Sequence, residues 1–371
     1  FEMRVERSPG RCFTDAEYAA EGIQLVDDVS DCNVLLGVKE VPVANLVAGK
    51  TYFFFSHTIK KQPYNRPILR TVLEREIRLI DYETITDESG KRLIAFGFYA
   101  GVVGAHNGLW AWGKRTGDFD LPRMVDCHDY EEVMVFYKKL RLPPLKIVLT
   151  GSGRVAQGCL KVLHDLKVKQ VTPQEFLENE FDEAVFTQLN AVDYARRKDG
   201  GAFDKKDFYA HGDAYESAFS PFAQRADLFM NGIFYDKKAP QFFTIEEMAR
   251  PDFRIKVIAD ISCDIAPYGS VPATVEATTI ADPLFGFDPK TGGTCGAFEP
   301  GAVTMMTIDN LPNELPRDAS HFFGKQFLEN LLTKLLAPDS TDILDRATIA
   351  RYGRLTPKFA YLQDYVDGRG E

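Results

Sequence analysis

Two polar motifs follow apolar runs near the start of the chain, and both contain side chains that could transfer protons. In "LLGVKE", Lys39 and Glu40 come just after an apolar run, and in "FFFSHT", His57 comes just after the next one. If the two runs are parallel neighbouring strands, these side chains lie at the carboxyl edge of one sheet, where open α/β folds bind ligands. Lysine and histidine often serve as acid and base. The alternative is a solvated Lys–Glu pair and a histidine that only caps a strand, and spacing alone does not decide between them.

A glycine motif in the middle of the chain is typical of a phosphate-binding turn. In "KIVLTGSGRVAQG", an apolar strand runs into Gly151 and Gly153, and a helical pattern begins at Arg154 and Val155. In a dinucleotide fingerprint the first glycine makes the tight turn and the second lets the backbone approach a pyrophosphate. The free N–H groups of the helix start bind the phosphates. We therefore predict that these four residues bind NAD or NADP, the alternative being a plain tight turn.

The sequence leaves the choice between NAD and NADP open. In the fingerprint an acidic residue about 20 positions further on binds the adenosine ribose. After the predicted second strand, residues 167–171, the chain continues with Thr172-Pro173-Gln174-Glu175 and offers no clear terminal aspartate.

Apolar runs alternate with helical patterns, which predicts α/β layers in two units. The first unit should contain a short helix that begins at the capping box of Thr14 and Glu17, and a further helix near residues 68–77. Its predicted strands are residues 34–38, 52–56 and 79–82. A run of small residues at 99–112 predicts a closely packed helix.

The second unit is predicted to be a parallel doubly wound sheet. Its predicted strands are residues 145–150, 167–171, 184–190, 227–235 and 255–262. Thr244 should cap a helix before the last of these strands. The polar and aromatic segment 196–225 is predicted to be an insertion, either a surface excursion or a lid.

Composition excludes several classes of partner. The chain of 371 residues has a net charge of −10, and its basic residues are dispersed, which argues against nucleic acid. It contains no apolar stretch of about 18 residues and does not begin with a signal-like segment, so we expect no membrane partner and a cytoplasmic location. The six cysteines form no C-x-x-C pair, and no metal site is expected. A monomer or a small homo-oligomer is expected.

Several blocks, taken in order, resemble one enzyme family. They are "LLGVKEVP", "YFFFSHTIK", "REIRLIDYETI", "DISCDI" and "TIDNLPNELPRDAS". They are similar to the lysine-forming saccharopine dehydrogenases and to the lysine–ketoglutarate reductase domain of the bifunctional lysine-degrading enzyme, within the alanine dehydrogenase and transhydrogenase superfamily. The resemblance covers nearly the whole chain, and "FFSHTIK" and "LPRDAS" are more specific than any glycine-rich loop.

The resemblance implies two Rossmann-like α/β domains with the active site in the cleft between them. Residues 1–98 and 317–371 would form the substrate and catalytic domain, and residues 99–316 the dinucleotide-binding domain. The first domain would be completed by C-terminal helices, here residues 317–336 and 342–352.

The resemblance also implies the reaction, in which saccharopine is interconverted with L-lysine and 2-oxoglutarate by hydride transfer to or from NAD or NADP. The residues it implies are Lys39 and His57 as the acid–base pair with Glu83 beside them, Lys60 and Arg92 for substrate carboxylates, and Asp264 and Asp309 on the cofactor side.

The chain departs from the family at its start. Members begin with one more strand and helix, and an arginine at that strand end binds a substrate carboxylate, for which Arg4 and Arg11 are not evident substitutes. Either a further N-terminal segment supplies this arginine or the substrate site is altered. Two other functions therefore stay open: an alanine-dehydrogenase-like oxidoreductase for another amino acid, and a non-catalytic dinucleotide-sensing protein.

Overall fold

The computed structural model describes residues 2–336 and 342–369. The chain divides into two compact units, unit 1 with Phe1–Ala95 and Ser320–Glu371, and unit 2 with Phe96–Ala319. Each domain boundary predicted from the sequence differs from these divisions by three residues. Within the described ranges, no helix has both the length and the hydropathy to cross a membrane.

The regular elements are numbered in chain order. The strands are β1 (Arg4–Glu6), β2 (Gln24–Val26), β3 (Val34–Leu36), β4 (Thr51–Phe54), β5 (Arg78–Asp81), β6 (Lys146–Thr150), β7 (Lys169–Gln170), β8 (Val185–Leu189), β9 (Ala195–Arg197), β10 (Tyr215–Ser217), β11 (Leu228–Asn231), β12 (Val257–Asp260), β13 (Leu284–Asp288), β14 (Gly293–Cys295), β15 (Val303–Met306), β16 (Thr348–Arg351) and β17 (Arg354–Leu355). The α-helices are α1 (Asp15–Ala20), α2 (Arg66–Glu74), α3 (Gly97–Thr116), α4 (Tyr130–Lys139), α5 (Arg154–Asp165), α6 (Pro173–Glu178), α7 (Ala191–Tyr194), α8 (Lys205–Ala210), α9 (Ser220–Ala223), α10 (Ile245–Met248), α11 (Pro316–Phe327), α12 (Thr333–Leu336), α13 (Ile343–Ala347) and α14 (Gln363–Asp367).

Unit 1 is built on a five-stranded sheet with the order β17-β16-β5-β4-β3. Strands β3, β4 and β5 are parallel, which meets the condition set for the Lys39 and His57 motifs, and their apolar side chains pack on α2 in one core. A second, two-stranded sheet pairs β1 with β2 in parallel around α1. The capping box of Thr14 and Glu17 begins α1, which confirms that prediction.

The C-terminal part of unit 1 differs from the prediction of two helices. The first predicted helix is confirmed as α11 and α12, joined by a π-helical turn at Leu328–Leu332. The second is wrong beyond Ala347, because Thr348–Arg351 forms β16, antiparallel to β5. Ile349 and Ala350 are fully buried there in the same apolar cluster as Leu79. Pairing with a strand about 270 residues away overrides the local helical pattern.

Unit 2 contains an eight-stranded sheet with the order β14-β13-β15-β12-β11-β6-β8-β7. The strands from β15 to β7 in this order are parallel, which confirms the predicted architecture, and β13 and β14 extend the sheet in antiparallel pairing. The predicted second strand is reduced to β7, at the sheet edge. Strand β8, not β7, pairs with β6.

The predicted small-residue helix is α3, and its glycines permit a very close contact with α5. A Cβ atom at Gly101 would overlap the carbonyl group of Val155, and a Cβ atom at Gly158 would overlap the carbonyl oxygen of Phe98. The backbones of α3 and α5 therefore lie closer together than any larger residue at these two glycine positions would allow. This contact supports α5, which follows the glycine motif.

The segment 196–225 is only in part the predicted surface excursion, because most of residues 198–211 are exposed whereas residues 215–223 are mostly buried or half-buried. Strands β9 and β10 pair in an antiparallel hairpin. Phe208, Tyr215 and Phe219 are buried in an apolar cluster that also contains Val185 of β8 and Phe229 of β11. The segment therefore forms part of the core of unit 2, because its aromatic side chains cover one face of the large sheet.

We predict that Gly158→Ala destabilises the protein, because the added methyl group pushes α5 away from α3. Overpacking of this kind costs roughly 1–3 kcal/mol. Gly324→Ala in α11 is the matched control, since no described atom lies within 4 Å of the new Cβ, and it should be neutral or stabilise by roughly 0.5–1 kcal/mol. Thermal unfolding followed by circular dichroism measures both. Equal unfolding midpoints for the two variants would contradict the close contact.

Candidate functional site

The first group of site residues lies where β3 and β4 leave the sheet of unit 1. The N–H group of Phe55 donates to the carbonyl oxygen of Val38 at 2.9 Å, beyond the last regular pair of the two strands. The two chain segments therefore continue side by side. This brings Glu40, after β3, to His57, after β4.

His57 is held in one orientation. Its backbone is left-handed, with φ 54° and ψ 10°, a conformation that non-glycine residues rarely adopt and that often marks functional positions. The imidazole stacks on Phe55 at 6.3 Å between ring centroids, and Nδ1 forms a short hydrogen bond with Oε1 of Glu40. Because a carboxylate accepts, Nδ1 donates, and Nε2 is the nitrogen that can take up a proton.

Glu40 is kept as an anion beside His57. Burial raises the pKa of its carboxyl group, but the hydrogen bond with His57, a backbone hydrogen bond and the charges of His57 and Lys39 outweigh burial and lower the pKa. Lys39 itself is exposed, so in unit 1 its charge acts on Glu40 from the solvent side. The structure thus shows Glu40 as the direct partner of His57, a contact that the sequence reasoning did not anticipate.

Glu83 follows β5, and its carboxylate forms ion pairs with both cations that are predicted to bind substrate. Its Oε1 lies 3.1 Å from a guanidinium nitrogen of Arg92 and 3.7 Å from Nζ of Lys60. The Glu83 side chain is only 6% exposed, whereas those of Lys60 and Arg92 are 48% and 45% exposed. Its Oε2 is buried without a hydrogen-bond partner among the described residues. The half-exposed heads of the two cations are therefore held on a buried carboxylate at the end of β5.

Asp81, which the sequence reasoning did not select, joins these two groups. Its buried carboxylate accepts from the N–H of Ser56 at 2.9 Å, from the hydroxyl of Ser56 at 2.5 Å and from the N–H of Glu83 at 2.7 Å. Burial raises the pKa of Asp81, and these hydrogen bonds oppose the increase. The signal in the sequence is an acid that ends an apolar strand, in "RLID", directly before the "YET" segment.

The glycine motif of unit 2 forms an open cradle at the end of β6. Gly151 has φ +99°, and a Cβ atom there would lie 2.7 Å from the carbonyl oxygen of Gly232. Gly153 directly precedes α5, and apart from its chain neighbours no described residue lies within 4 Å of the position that a Cβ would take. Arg154 and Val155 form the first turn of this twelve-residue helix. The free backbone space in front of a helix start fits a dinucleotide pyrophosphate.

Asp264 and Asp309 lie after neighbouring strands of the same sheet. Asp264 follows β12 and is half-buried, and burial raises its pKa. Asp309 follows β15 and is exposed. Because β12 and β15 are parallel neighbours, both aspartates are at the carboxyl edge that also carries the glycine motif.

A buried polar network supports this edge, and sequence reasoning missed most of it. The amide of Asn231 donates to Asp260 at 2.8 Å and to Ser270 at 2.9 Å. Thr150 donates to Asn231 at 3.0 Å, and Thr274 donates to Asp260 at 2.5 Å. These contacts connect the ends of β6, β11 and β12. Burial raises the pKa of Asp260 to about 6. Asp260 is therefore an internal anchor of the sheet edge, and Asp264 is the more accessible acid.

The comparisons with known proteins agree with this fold. A family model described as alanine dehydrogenase/PNT, N-terminal domain, matches residues 1–103. A solved structure of L-alanine dehydrogenase superposes with a TM-score of 0.62 at 16% identity, over 99% of this chain and 91% of that one. The fold therefore defines a two-domain, Rossmann-like α/β protein.

Two groups of relatives match most or all of the chain. The mitochondrial alpha-aminoadipic semialdehyde synthase of Rattus norvegicus is 29% identical over all of this chain and 45% of its own length. Saccharopine dehydrogenase [NAD(+), L-lysine-forming] of Neurospora crassa is 28% identical over 89% of this chain and 82% of its own length. The chain is thus similar in sequence both to semialdehyde synthases and to lysine-forming saccharopine dehydrogenases, and its first 103 residues match the alanine dehydrogenase/PNT N-terminal domain. It spans less than half the length of the semialdehyde synthases it matches.

We predict that Asp260 makes stability depend on pH. The folded protein binds the Asp260 proton more tightly than the unfolded chain does, with a pKa of about 6 against an ordinary 3.8. Its contribution to the free energy of unfolding is therefore largest below about pH 4 and is lost as the pH rises to about 6. Relative to Asp260→Asn, which does not titrate, the wild-type protein should lose roughly 2–3 kcal/mol across this range. Urea denaturation at a series of pH values measures the difference, and a constant difference would refute the shift.

Proposed function

We propose that this chain interconverts saccharopine with L-lysine and 2-oxoglutarate, as an L-lysine-forming saccharopine dehydrogenase or lysine–ketoglutarate reductase. The observation that carries the proposal is the group of side chains in unit 1, where the His57–Glu40 pair and Glu83 with its two cations are tied together through Asp81. The Neurospora crassa relative has this activity in its name. The same group, within a dinucleotide-binding fold, provides the acid–base and charge chemistry that the reaction needs.

His57 is the proton acceptor in this proposal. In the oxidation of saccharopine, the secondary amine would give its proton to Nε2 of His57, and the C–H bond beside that nitrogen would lose a hydride; a dinucleotide held by unit 2 would supply the redox chemistry by accepting it. Water then adds to the resulting imine, and the carbinolamine collapses to lysine and 2-oxoglutarate. Glu40 holds the Nδ1 proton throughout and stabilises the imidazolium that forms. Lys39, whose charge acts on Glu40, is the second acid–base group.

Lys60 and Arg92 bind substrate carboxylates in this proposal. Saccharopine carries three carboxylates, so a site for it needs cations held in place before the substrate arrives. Both side chains are half-exposed and both are anchored on the buried carboxylate of Glu83. Glu83 therefore positions the two cations and limits the positive charge between them.

The dinucleotide would be held by unit 2. Gly151 and Gly153 provide the space for its pyrophosphate, and Arg154 and Val155 provide the first N–H groups of α5. Asp264 lies at the same edge, with Asp309 beyond it, where the nicotinamide half of a dinucleotide would lie in a sheet of this kind. The cofactor is NAD or NADP.

An alanine-dehydrogenase-like oxidoreductase is the second candidate. The family model over residues 1–103 and the likeness to the L-alanine dehydrogenase structure favour it. Both reactions need a group that takes up a proton, and the oriented His57 could serve either one. A non-catalytic, dinucleotide-sensing protein is disfavoured, because sensing does not require the His57–Glu40 pair.

The other partners and the location are proposals of the same kind. We propose that the partners are the three small molecules of the reaction and that the protein is cytoplasmic, as a monomer or a small homo-oligomer. The semialdehyde synthase of Rattus norvegicus is a mitochondrial protein by its name.

We predict that the protein oxidises a reduced nicotinamide cofactor when L-lysine and 2-oxoglutarate are both present. The measurement is the loss of absorbance of NADH and, separately, of NADPH, with each substrate omitted in turn as a control. Pyruvate with ammonia is the comparison substrate pair. Turnover with pyruvate and ammonia alone would replace the proposal by the second candidate.

We predict that His57→Ala lowers kcat by roughly 10²-fold or more, the usual effect of removing a general acid or base. The dissociation constant for the dinucleotide should stay the same, because the glycine motif is in the other unit. His128→Ala is the matched control, since that side chain is 63% exposed and lies outside the site, and it should retain activity. If His57→Ala kept full turnover, the role assigned to His57 would be wrong.

A further inference from the structure

The order of strands in unit 2 determines which residue can contact the adenosine ribose, and it is not the residue expected from the sequence. In the dinucleotide fingerprint, the acid that binds the ribose hydroxyls follows the strand beside the one that carries the glycine motif. Here that neighbour is β8, and the two strands pair in register from Lys146 with Val185 to Thr150 with Leu189. Strand β7 is one place further out, at the edge of the sheet.

Hydrogen bonds join the end of β8 directly to the glycine motif. The N–H group of Gly151 donates to the carbonyl oxygen of Leu189 at 2.9 Å. The side-chain amide of Gln188 donates to the carbonyl oxygen of Gly151 at 2.8 Å. The next residue, Asn190, is exposed at the carboxyl edge of the sheet.

The segment after β7 is too far from the glycine motif for the same task. Adjacent strands are about 4.8 Å apart, so β7 lies roughly 10 Å from β6, with β8 between them. Both positions begin a helix with a capping box, Thr172 with Glu175 at α6 and Asn190 with Asp193 at α7, so the distance from β6 is what separates them. The missing aspartate in this segment therefore carries no information about the cofactor.

We propose that Asn190 is the residue that faces the 2′ position of the adenosine ribose and sets the choice between the two dinucleotides. An acid at this place binds the 2′-hydroxyl of NAD and repels the 2′-phosphate of NADP. A neutral amide can donate to either group. Although the Asp193 carboxylate accepts from the N–H of Asn190, the side chain at position 190 itself carries no charge that repels the 2′-phosphate, so we expect NADPH to bind at least as tightly as NADH. This inference rests on the dinucleotide site of the proposed function and adds which of the two dinucleotides that site prefers.

The test is the equilibrium dissociation constant of each reduced dinucleotide, measured by isothermal titration calorimetry on the full chain without substrates. Asn190→Asp should weaken NADPH relative to NADH by at least about 10-fold. Aspartate caps helices as well as asparagine, so α7 should still form. Asn190→Arg changes the charge in the opposite sense and should strengthen NADPH relative to NADH. Thr172→Asp is the matched control, and it should leave the ratio within about 2-fold, since aspartate is also a good cap.

The outcomes separate this inference from the proposed function. A ratio that does not respond at position 190, or that responds at position 172 instead, overturns the inference. A wild-type protein that prefers NADH by 10-fold or more also overturns it. If neither dinucleotide binds, both the inference and the proposed cofactor fail. If both bind but lysine and 2-oxoglutarate support no turnover, the proposed reaction fails and the inference stands.

Discussion

The site in unit 1 depends on one buried carboxylate, that of Asp81. Strands β4 and β5 end side by side, and the loops that follow them would otherwise leave backbone N–H groups without partners in the core. Asp81 accepts the N–H groups of Ser56 and Glu83 and the hydroxyl of Ser56. An unpaired buried donor costs roughly 1–3 kcal/mol, so these three bonds offset the cost of burying the acid. They also fix where each loop turns, and therefore where His57 and Glu83 project.

In unit 2, polar groups at the strand ends are also hydrogen-bonded, there by neutral side chains and one acid. Asn231 lies at the end of the central strand β11 and bonds to Thr150 on one side and to Asp260 on the other. The amide can donate and accept at once, so one residue serves both neighbours. In both units, hydrogen bonds to a buried acid therefore connect the strand ends at the carboxyl edge. Such a support lets short loops present chemical groups in defined positions.

The parts that sequence predicted well are those set by local patterns. The alternation of apolar runs located β3, β4 and β5, and the small residues located α3, because each signal is contained within the element itself. Pairings between distant segments were not predictable in this way. The helix expected beyond Ala347 is strand β16, because β5 offers it an open edge. The bond between Glu40 and His57 was also missed, since it depends on how β3 and β4 continue after their regular ends.

The carboxyl edge of the sheet in unit 2, where we propose that the dinucleotide binds, combines one feature set by local sequence with one set by the pairing of distant strands. The glycine motif is local: the positive φ of Gly151 and the start of α5 follow from a few consecutive residues, and phosphate recognition needs little more than these backbone groups. Ribose recognition is different, because it uses whichever strand lies beside β6. The next strand in the sequence after β6 is β7, whereas the strand beside β6 in the sheet is β8, so the two criteria select different residues. A motif can thus predict a phosphate site from local sequence, whereas the residues that would distinguish one nucleotide from another are brought to it only by the fold.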